Sequence, residues 1–233
     1  MEKLTLLGID IAKNIFQLHG IDGKGNMVLR KWLTRSKLLE FITKLKPCII
    51  VMEACGSANY WCRKFKACGH EAKLISPQFV KPFVKTNKND RNDSEAICEA
   101  ASRPSMRYVS PKTVEQEDIQ ALHRIRSRLI GERTALTNQI RGLLAEYGII
   151  VSKGISKIRK ALPEILEDAE NELSHFGRRF FSDLYEEISE KDKKIKAYDQ
   201  KKEMMEKYTK LFFIRNKEGK RGGTRGFKGL FDI

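Results

Sequence analysis

The hydrophobic positions of residues 1–110 fall into short apolar runs separated by segments with helical spacing. The runs have the length and the alternation of β-strands, and the segments between them repeat every three to four residues. Predicted strands are Leu4–Asp10, Asn14–Ile21, Met27–Leu33, Cys48–Glu53 and His70–Ile75, with helices at Ser36–Leu45, Ser57–Ala67 and Asp93–Ser102. Residues 77–92 are polar and basic, and we interpret them as a loop or a frayed helix. This order predicts a mixed α/β domain.

The pattern becomes helical beyond residue 110. We predict one long helix over Val114–Tyr147, a break over Gly148–Lys160, and a further helix that begins at Pro163. Apolar residues between Phe181 and Met205 then recur at heptad-like spacings of three and four. That spacing fits either an antiparallel helical hairpin or a coiled coil with an identical partner. The predicted organisation is an α/β domain at 1–110, a helical region at 111–209, and a basic, glycine-rich, disordered tail at 210–233.

Composition adds a preference for an anionic partner. The 233 residues carry a formal net charge of +15, and neutralisation of phosphates by such a surplus gives affinity for nucleic acid of any sequence. The five cysteines form no Cys-x-x-Cys pair and the four histidines are scattered, which argues against a zinc site and favours reduced thiols. No apolar stretch approaches the roughly 20 residues that cross a bilayer. We therefore expect a soluble, cytoplasmic protein.

Acidic residues stand at the ends of two buried strands. Asp10 ends the first strand and Glu53 ends the fourth, and if these strands are neighbours both carboxylates emerge at one edge. Asp90 and Asp93 have the i, i+3 spacing that places two carboxylates on one face at a helix start. Divalent cations with oxygen ligands would relieve the repulsion among four such acids. Ordinary capping by acids is the alternative, and spacing alone leaves both interpretations open.

Three sequence blocks then carry a family resemblance. They are Gly8–Lys13, Val51–Gly56 and Lys88–Ala96, and each contains one or two of the four acids. Together they resemble the blocks of the DEDD transposases of the insertion sequence 110 family, which are related to Piv-type DNA invertases. The resemblance covers about residues 4–205. It agrees with the strand order, which is that of an RNase H-like domain.

The resemblance implies a RuvC-like fold in which Asp10, Glu53, Asp90 and Asp93 bind Mg²⁺ or Mn²⁺ and catalyse DNA transposition or recombination. It also implies a structured guide RNA as a partner and a homo-oligomer assembled through the helical region. Basic residues expected to contact nucleic acid are Lys81, Lys85, Lys88, Arg91, Arg124, Arg126 and Arg128. Tyr60 and Trp61 are candidates for stacking on bases, although a core position is the simpler interpretation of Trp61.

The chain also departs from the family pattern. Family members continue into a second domain with a glycine-rich block and a nucleophilic serine, and this sequence contains no such block. We interpret the chain as a truncated or frame-shifted copy, and alternative functions are a branched-DNA nuclease or a non-catalytic nucleic-acid-binding protein. An actin-like ATPase would share the strand order but needs a second domain and another phosphate loop.

Overall fold

The computed structural model describes residues 3–84 and 91–219, with side chains described for 3–84 and 93–207. Within these ranges the chain divides into two compact units, and the boundary lies between Thr113 and Val114. The first unit is an α/β domain and the second is helical. Each unit is described by itself below.

A six-stranded mixed sheet forms the centre of the first unit. The strands are β1 (Leu6–Ile11), β2 (Ile15–Ile21), β3 (Met27–Thr34), β4 (Ile49–Glu53), β5 (Glu71–Ile75) and β6 (Tyr108–Val109). Their spatial order is β3-β2-β1-β4-β5-β6. β1 pairs with β2 in the antiparallel direction and with β4 in the parallel direction. This arrangement, with helices on both faces, is an α/β RNase H-like fold, as the sequence predicted.

Helices cover the two faces of the sheet with separate cores. The helices of this unit are α1 (Arg35–Thr43), α2 (Ala58–Ala67), α3 (Pro77–Val80) and α4 (Arg91–Ala101), with a 3₁₀ turn at Lys81–Phe83. α1 and α2 bury side chains such as Trp61 and Phe65 against one face. α4 buries Ala96 and Ile97 against the other face, where Val51 points. Successive buried residues of β1 and β4 belong alternately to the two cores, so each side chain contacts one helical layer.

Two local features of this unit were not predicted. Residues 77–83, predicted as part of a loop or frayed helix, form α3 and the 3₁₀ turn, with Val80 buried. β6 is only two residues long and exists because Tyr108 and Val109 pair with the end of β5. A two-residue strand contains no periodicity from which a sequence pattern could predict it.

The second unit consists of three helices, α5 (Val114–Ala145), α6 (Ile155–Glu167) and α7 (His175–Gly219). Pro163 lies inside α6, so the prediction that it begins a helix is wrong. A proline in this position removes one backbone hydrogen bond. The helix is maintained because Ile158 and Leu162 are fully buried between α5 and α7. α7 continues through Gly219, so the first part of the segment predicted as a disordered tail is helical.

α5 and α7 run antiparallel, and ion pairs fix their register. Arg126 pairs with Asp199 and Arg133 pairs with Asp192, so that the numbering rises on one helix as it falls on the other. Arg159 of α6 joins Asp192 at the same point. The intramolecular hairpin is therefore the arrangement present, and a coiled coil with an identical partner stays a prediction. Among the helices in the described parts of the chain, none combines the length and the apolar character needed to cross a bilayer.

Candidate metal centre

Asp10 and Glu53 lie side by side near the carboxyl ends of the central strands β1 and β4. The parallel register pairs Ile9 of β1 with Met52 of β4, so the next residue on each strand is one of these acids. Ile9 and Met52 point into the core beneath α1 and α2. Because side chains alternate along a strand, Asp10 and Glu53 both project from the opposite face, which α4 covers.

α4 approaches that face of β1 unusually closely at Gly8. A Cβ atom on Gly8 would lie 2.6 Å from the carbonyl oxygen of Ser94 and 2.8 Å from Sγ of Cys98. The Gly8 amide donates a hydrogen bond to Sγ of Cys98 at 3.1 Å, and the thiol donates to the carbonyl of His19 at 3.0 Å. This thiol therefore ties α4 to both β1 and β2. The contact fixes the first turn of α4, which contains Asp93, beside the strand that carries Asp10.

The negative charges of the carboxylates raise the pKa values of neighbouring groups. The pKa of Glu53 is raised, first because the carboxyl is partly buried and then because the negative charge of Asp93 is close. The pKa of the Cys55 thiol is also raised, by burial and then by the charges of Glu53 and Asp10. Three acids from β1, β4 and α4 thus contribute to one region of negative potential. A cation in this region would offset both the repulsion and the cost of burial.

The described side chains alone do not form a complete set of metal ligands. Across residues 3–84 and 93–207, no group of three or more His, Cys, Asp or Glu side chains converges closely enough to hold an ion. The fourth predicted ligand, Asp90, lies outside the described residues. The donor chemistry nevertheless fits a hard divalent cation, because Asp10, Glu53 and Asp93 offer carboxylate oxygens whose mutual repulsion a positive charge would offset.

The predicted nucleic-acid-binding residues fall in three different settings. Lys81 is exposed in the 3₁₀ turn that packs against α4. Lys85 and Lys88 lie outside the described residues, as does the side chain of Arg91. Arg124 is exposed on α5. Arg126 pairs with Asp199, and Arg128 with Glu132 one helical turn away, so carboxylates already offset part of the positive charge of this helix.

Two residues that help to shape the site were not identified as such from the sequence. Gly8 and Cys98 position α4 on β1, whereas the sequence indicated only that Cys98 is buried. A glycine inside an apolar strand is the available signal, because it often marks close approach of another backbone. Trp61 is a core residue, 3% exposed and stacked on Phe65, while Tyr60 beside it is 42% exposed.

Comparison with known proteins places this geometry in context. A family model described as a transposase, of the DEDD type of insertion sequence IS110, matches residues 7–149. The chain is 48% identical over 200 residues to the transposase for insertion sequence element IS1111A of Coxiella burnetii, covering 86% of this chain and 55% of that protein. It is 43% identical over 207 residues to the transposase for insertion sequence element IS1328 of Yersinia enterocolitica, covering 85% and 60%. The chain spans about half the length of the curated relatives it matches.

Proposed function

Because the chain belongs to the DEDD transposase family of insertion sequences, we propose that its α/β unit is a metal-dependent phosphoryl-transfer centre acting on DNA. Four carboxylates bind Mg²⁺ or Mn²⁺ in this proposal. They are Asp10, Glu53, Asp90 and Asp93. Ions held there would supply activation of an attacking oxygen and charge stabilisation of the leaving oxygen of a phosphodiester.

One observation carries the proposal. Asp10 and Glu53 occupy adjacent register positions on one face of the sheet, and α4 brings Asp93 close enough to raise the pKa of Glu53. Charged side chains are seldom placed together in a partly buried position unless something offsets their repulsion. In a chain with a net charge of +15, a local cluster of acids is most simply explained as a site for a cation that meets phosphate.

The protein groups have distinct tasks in this scheme. The strand ends hold Asp10 and Glu53 on rigid backbone, so neither carboxylate has to be ordered when the ion binds. Gly8 and Cys98 fix the depth of α4, and with it the position of Asp93 relative to the strands. Sites built on strands and helices in this way hold their geometry better than sites on loops.

Calorimetric titration with Mn²⁺ tests the proposal on the full chain. We expect the wild type to bind the ion, and Asp10→Asn, Glu53→Gln and Asp93→Asn each to weaken binding by at least about tenfold, since even outer-shell partners contribute that much. Glu71→Gln is the matched control. Glu71 is an exposed acid at the opposite end of β5 and pairs only with Lys73 among the described contacts, so its loss should leave Mn²⁺ affinity unchanged.

Cleavage of a branched DNA duplex by the same proteins then separates the possible activities. Metal binding together with cleavage that each site variant abolishes supports a working nuclease centre. Metal binding without cleavage would identify a binding-only form of the transposase. If all variants bind Mn²⁺ as the wild type does, the carboxylates are structural and the proposal is wrong.

The partners of the protein belong to the same proposal. In this proposal DNA is the substrate, a structured guide RNA is a second nucleic-acid partner, and a homo-oligomer assembles through the helical unit. The positive charge of the chain supports both nucleic-acid partners, and Arg124 is an exposed cation of α5. Purification at low and high salt, with absorbance ratios and light scattering, tests these partners directly. Nucleic-acid-free monomers under both conditions would contradict them.

A further inference from the structure

A line of four side chains crosses the sheet at the level of the carboxylates. Asp10 of β1 pairs with Gln17 of β2, and Gln17 pairs with Trp32 of β3. Directly paired residues present their side chains on the same face of a sheet. From the centre of the sheet to its edge, the line contains Glu53, Asp10, Gln17 and Trp32. Next to the two carboxylates on this face lie the amide of Gln17 and then the indole of Trp32.

Trp32 is exposed although it is large and apolar. Its exposed fraction is 49%, and its diagonal neighbour on the same face, Ile15, is 52% exposed. β3 is the edge strand of the sheet, and α4 packs mainly on β1, β2 and β4 and reaches β3 through the pair of Arg30 and Glu95. We call Trp32 and Ile15 the edge platform. Trp32 lies two strand spacings from Asp10, which is about 10 Å.

We propose that the edge platform stacks against a base of the DNA strand whose phosphodiester lies at the carboxylates, and that Trp32 thereby positions this strand. This inference rests on the proposed function. The separation of about 10 Å suits a base on a nucleotide next to the reacting phosphate. Stacking on an aromatic ring needs no particular base, because every base has a π-face.

The size and the charge of the surroundings favour a nucleobase over a protein partner. An indole and one aliphatic side chain match the area of a single base, whereas a specific protein interface buries more than about 1,000 Å². Lys13 is exposed in the turn between β1 and β2, at the end of the sheet where Asp10 lies. Arg30 shares the face of Trp32 on β3 and lies 4.0 Å from Glu95. Cations beside an exposed aromatic ring are the usual setting for a nucleic-acid strand.

The tryptophan content of the chain allows a direct optical test. There are two tryptophans, and Trp61 is buried while Trp32 is exposed. Titration of the full chain with a single-stranded oligodeoxynucleotide should quench the fluorescence of Trp32, and an oligonucleotide of abasic sites should not. The variant Trp32→Phe keeps a stacking ring and removes the fluorophore. It should retain most of the wild-type affinity for DNA while the quenched signal disappears.

Affinity measured by anisotropy of a labelled oligodeoxynucleotide completes the test. Trp32→Ala should weaken binding by about 5- to 150-fold, the range for losing one stacked base, and Trp32→Phe should restore most of it. Met27→Ala is the matched control, because Met27 is 55% exposed on the far end of the same strand. Unchanged affinity in Trp32→Ala overturns the proposal, and so does a loss confined to an oligoribonucleotide of the same sequence.

The metal titration keeps the two proposals apart. Trp32→Ala should bind Mn²⁺ with wild-type affinity, because the indole supplies no ligand. If Asp10→Asn also retains Mn²⁺ binding, the proposed function fails. If the carboxylate variants lose Mn²⁺ but Trp32→Ala binds DNA normally, only the edge platform fails.

Discussion

Gly8→Ala is the substitution whose effect the structure defines most closely. The new methyl group would point from β1 at the backbone of α4. It would lie 2.6 Å from the Ser94 carbonyl oxygen, 2.8 Å from Sγ of Cys98 and 3.2 Å from the Cys98 amide nitrogen. Two of these three atoms belong to helix backbone, which cannot rotate away as a side chain can. The whole helix therefore has to move.

The size of that movement follows from the contact distances. Ordinary contacts of a Cβ atom begin at 3.4 Å, so α4 must retreat by about 0.8 Å at Ser94. Overpacking of this kind costs about 1–3 kcal/mol in the free energy of unfolding. A displacement of about 0.8 Å also exceeds the roughly 0.5 Å within which a functional site must be held. Asp93 precedes Ser94 in the chain and moves with it.

Urea unfolding and Mn²⁺ titration of Gly8→Ala measure the two consequences. We expect a lower unfolding midpoint with an unchanged slope, since the unfolded chain exposes the same surface. We expect weaker Mn²⁺ binding and a fall in any DNA cleavage of up to about 100-fold, the effect of misplacement by about 1 Å. Gly56→Ala is the control: it lies three residues after Glu53, has no atom within 4 Å of a built Cβ, and has no positive φ.

Equal stability of the two variants would contradict the close contact between α4 and Gly8. Neutral surface substitutions change the free energy of unfolding by at most about 0.5 kcal/mol. If the free energies of unfolding of Gly8→Ala and Gly56→Ala differ by no more than that, α4 does not pack against β1 at Gly8. If Gly8→Ala is destabilised but binds Mn²⁺ normally, the close approach determines packing alone and Asp93 is not held by it.

Three further predictions concern charge and thiol chemistry. Glu53→Gln should raise the thermal midpoint of the metal-free protein at pH 7.5 but not at pH 3.5. Because the pKa of Glu53 is raised in the folded state, its contribution to stability is fully present below the unfolded-state pKa and is lost as the pH rises through the folded-state pKa. Equal shifts of the midpoint at both pH values would contradict this. Asp192→Asn should lower the free energy of unfolding in urea by about 1–3 kcal/mol, because it leaves the cations of Arg133 and Arg159 facing each other. Asp199→Asn removes the more exposed pair with Arg126 and should cost less than about 1 kcal/mol. The reverse order would contradict a stabilising role for Asp192 between the three helices. Cys98, whose pKa burial raises to about 12, should resist iodoacetamide in the folded protein at pH 8. Cys55 should be alkylated faster, because its side chain is exposed even though its pKa is also raised. Mass spectrometry of digests measures both rates, and earlier labelling of Cys98 than of Cys55 would contradict the burial of Cys98.

Much of the α/β unit was predictable because burial leaves a clear pattern in its strands. The run that ends at Asp10 and the run that ends at Glu53 are apolar on both faces, as expected for strands covered by helices on both sides. Their meeting at one sheet edge was predicted and is present in the register. The depth at which α4 lies on β1 was not predictable, because it depends on a contact between residues 90 positions apart.

The helical unit shows where a local pattern misleads. Leu122, Leu129 and Leu136 are spaced by seven residues and are buried, and Leu143 continues the series, yet it is 41% exposed. Ile140 and Leu144 are buried in its place. A straight helix drifts by about 20° in each heptad, so a strict seven-residue stripe rotates out of the contact after several repeats. Sequence spacing alone does not determine where that exchange occurs.

The long separation between β1 and α4 has a consequence for synthesis. A chain made from its N-terminus can form the β1–β2–β3 meander early, because these strands are consecutive and their contacts are local. The face that carries Leu6, Val51 and Ile75 stays exposed until α4 has emerged, and such transient apolar surface favours aggregation. Packing of α4 on the sheet is thus the event that buries this face and also brings Asp93 to Asp10 and Glu53. A nascent chain that pauses before residue 93 has one face of the sheet uncovered and lacks Asp93.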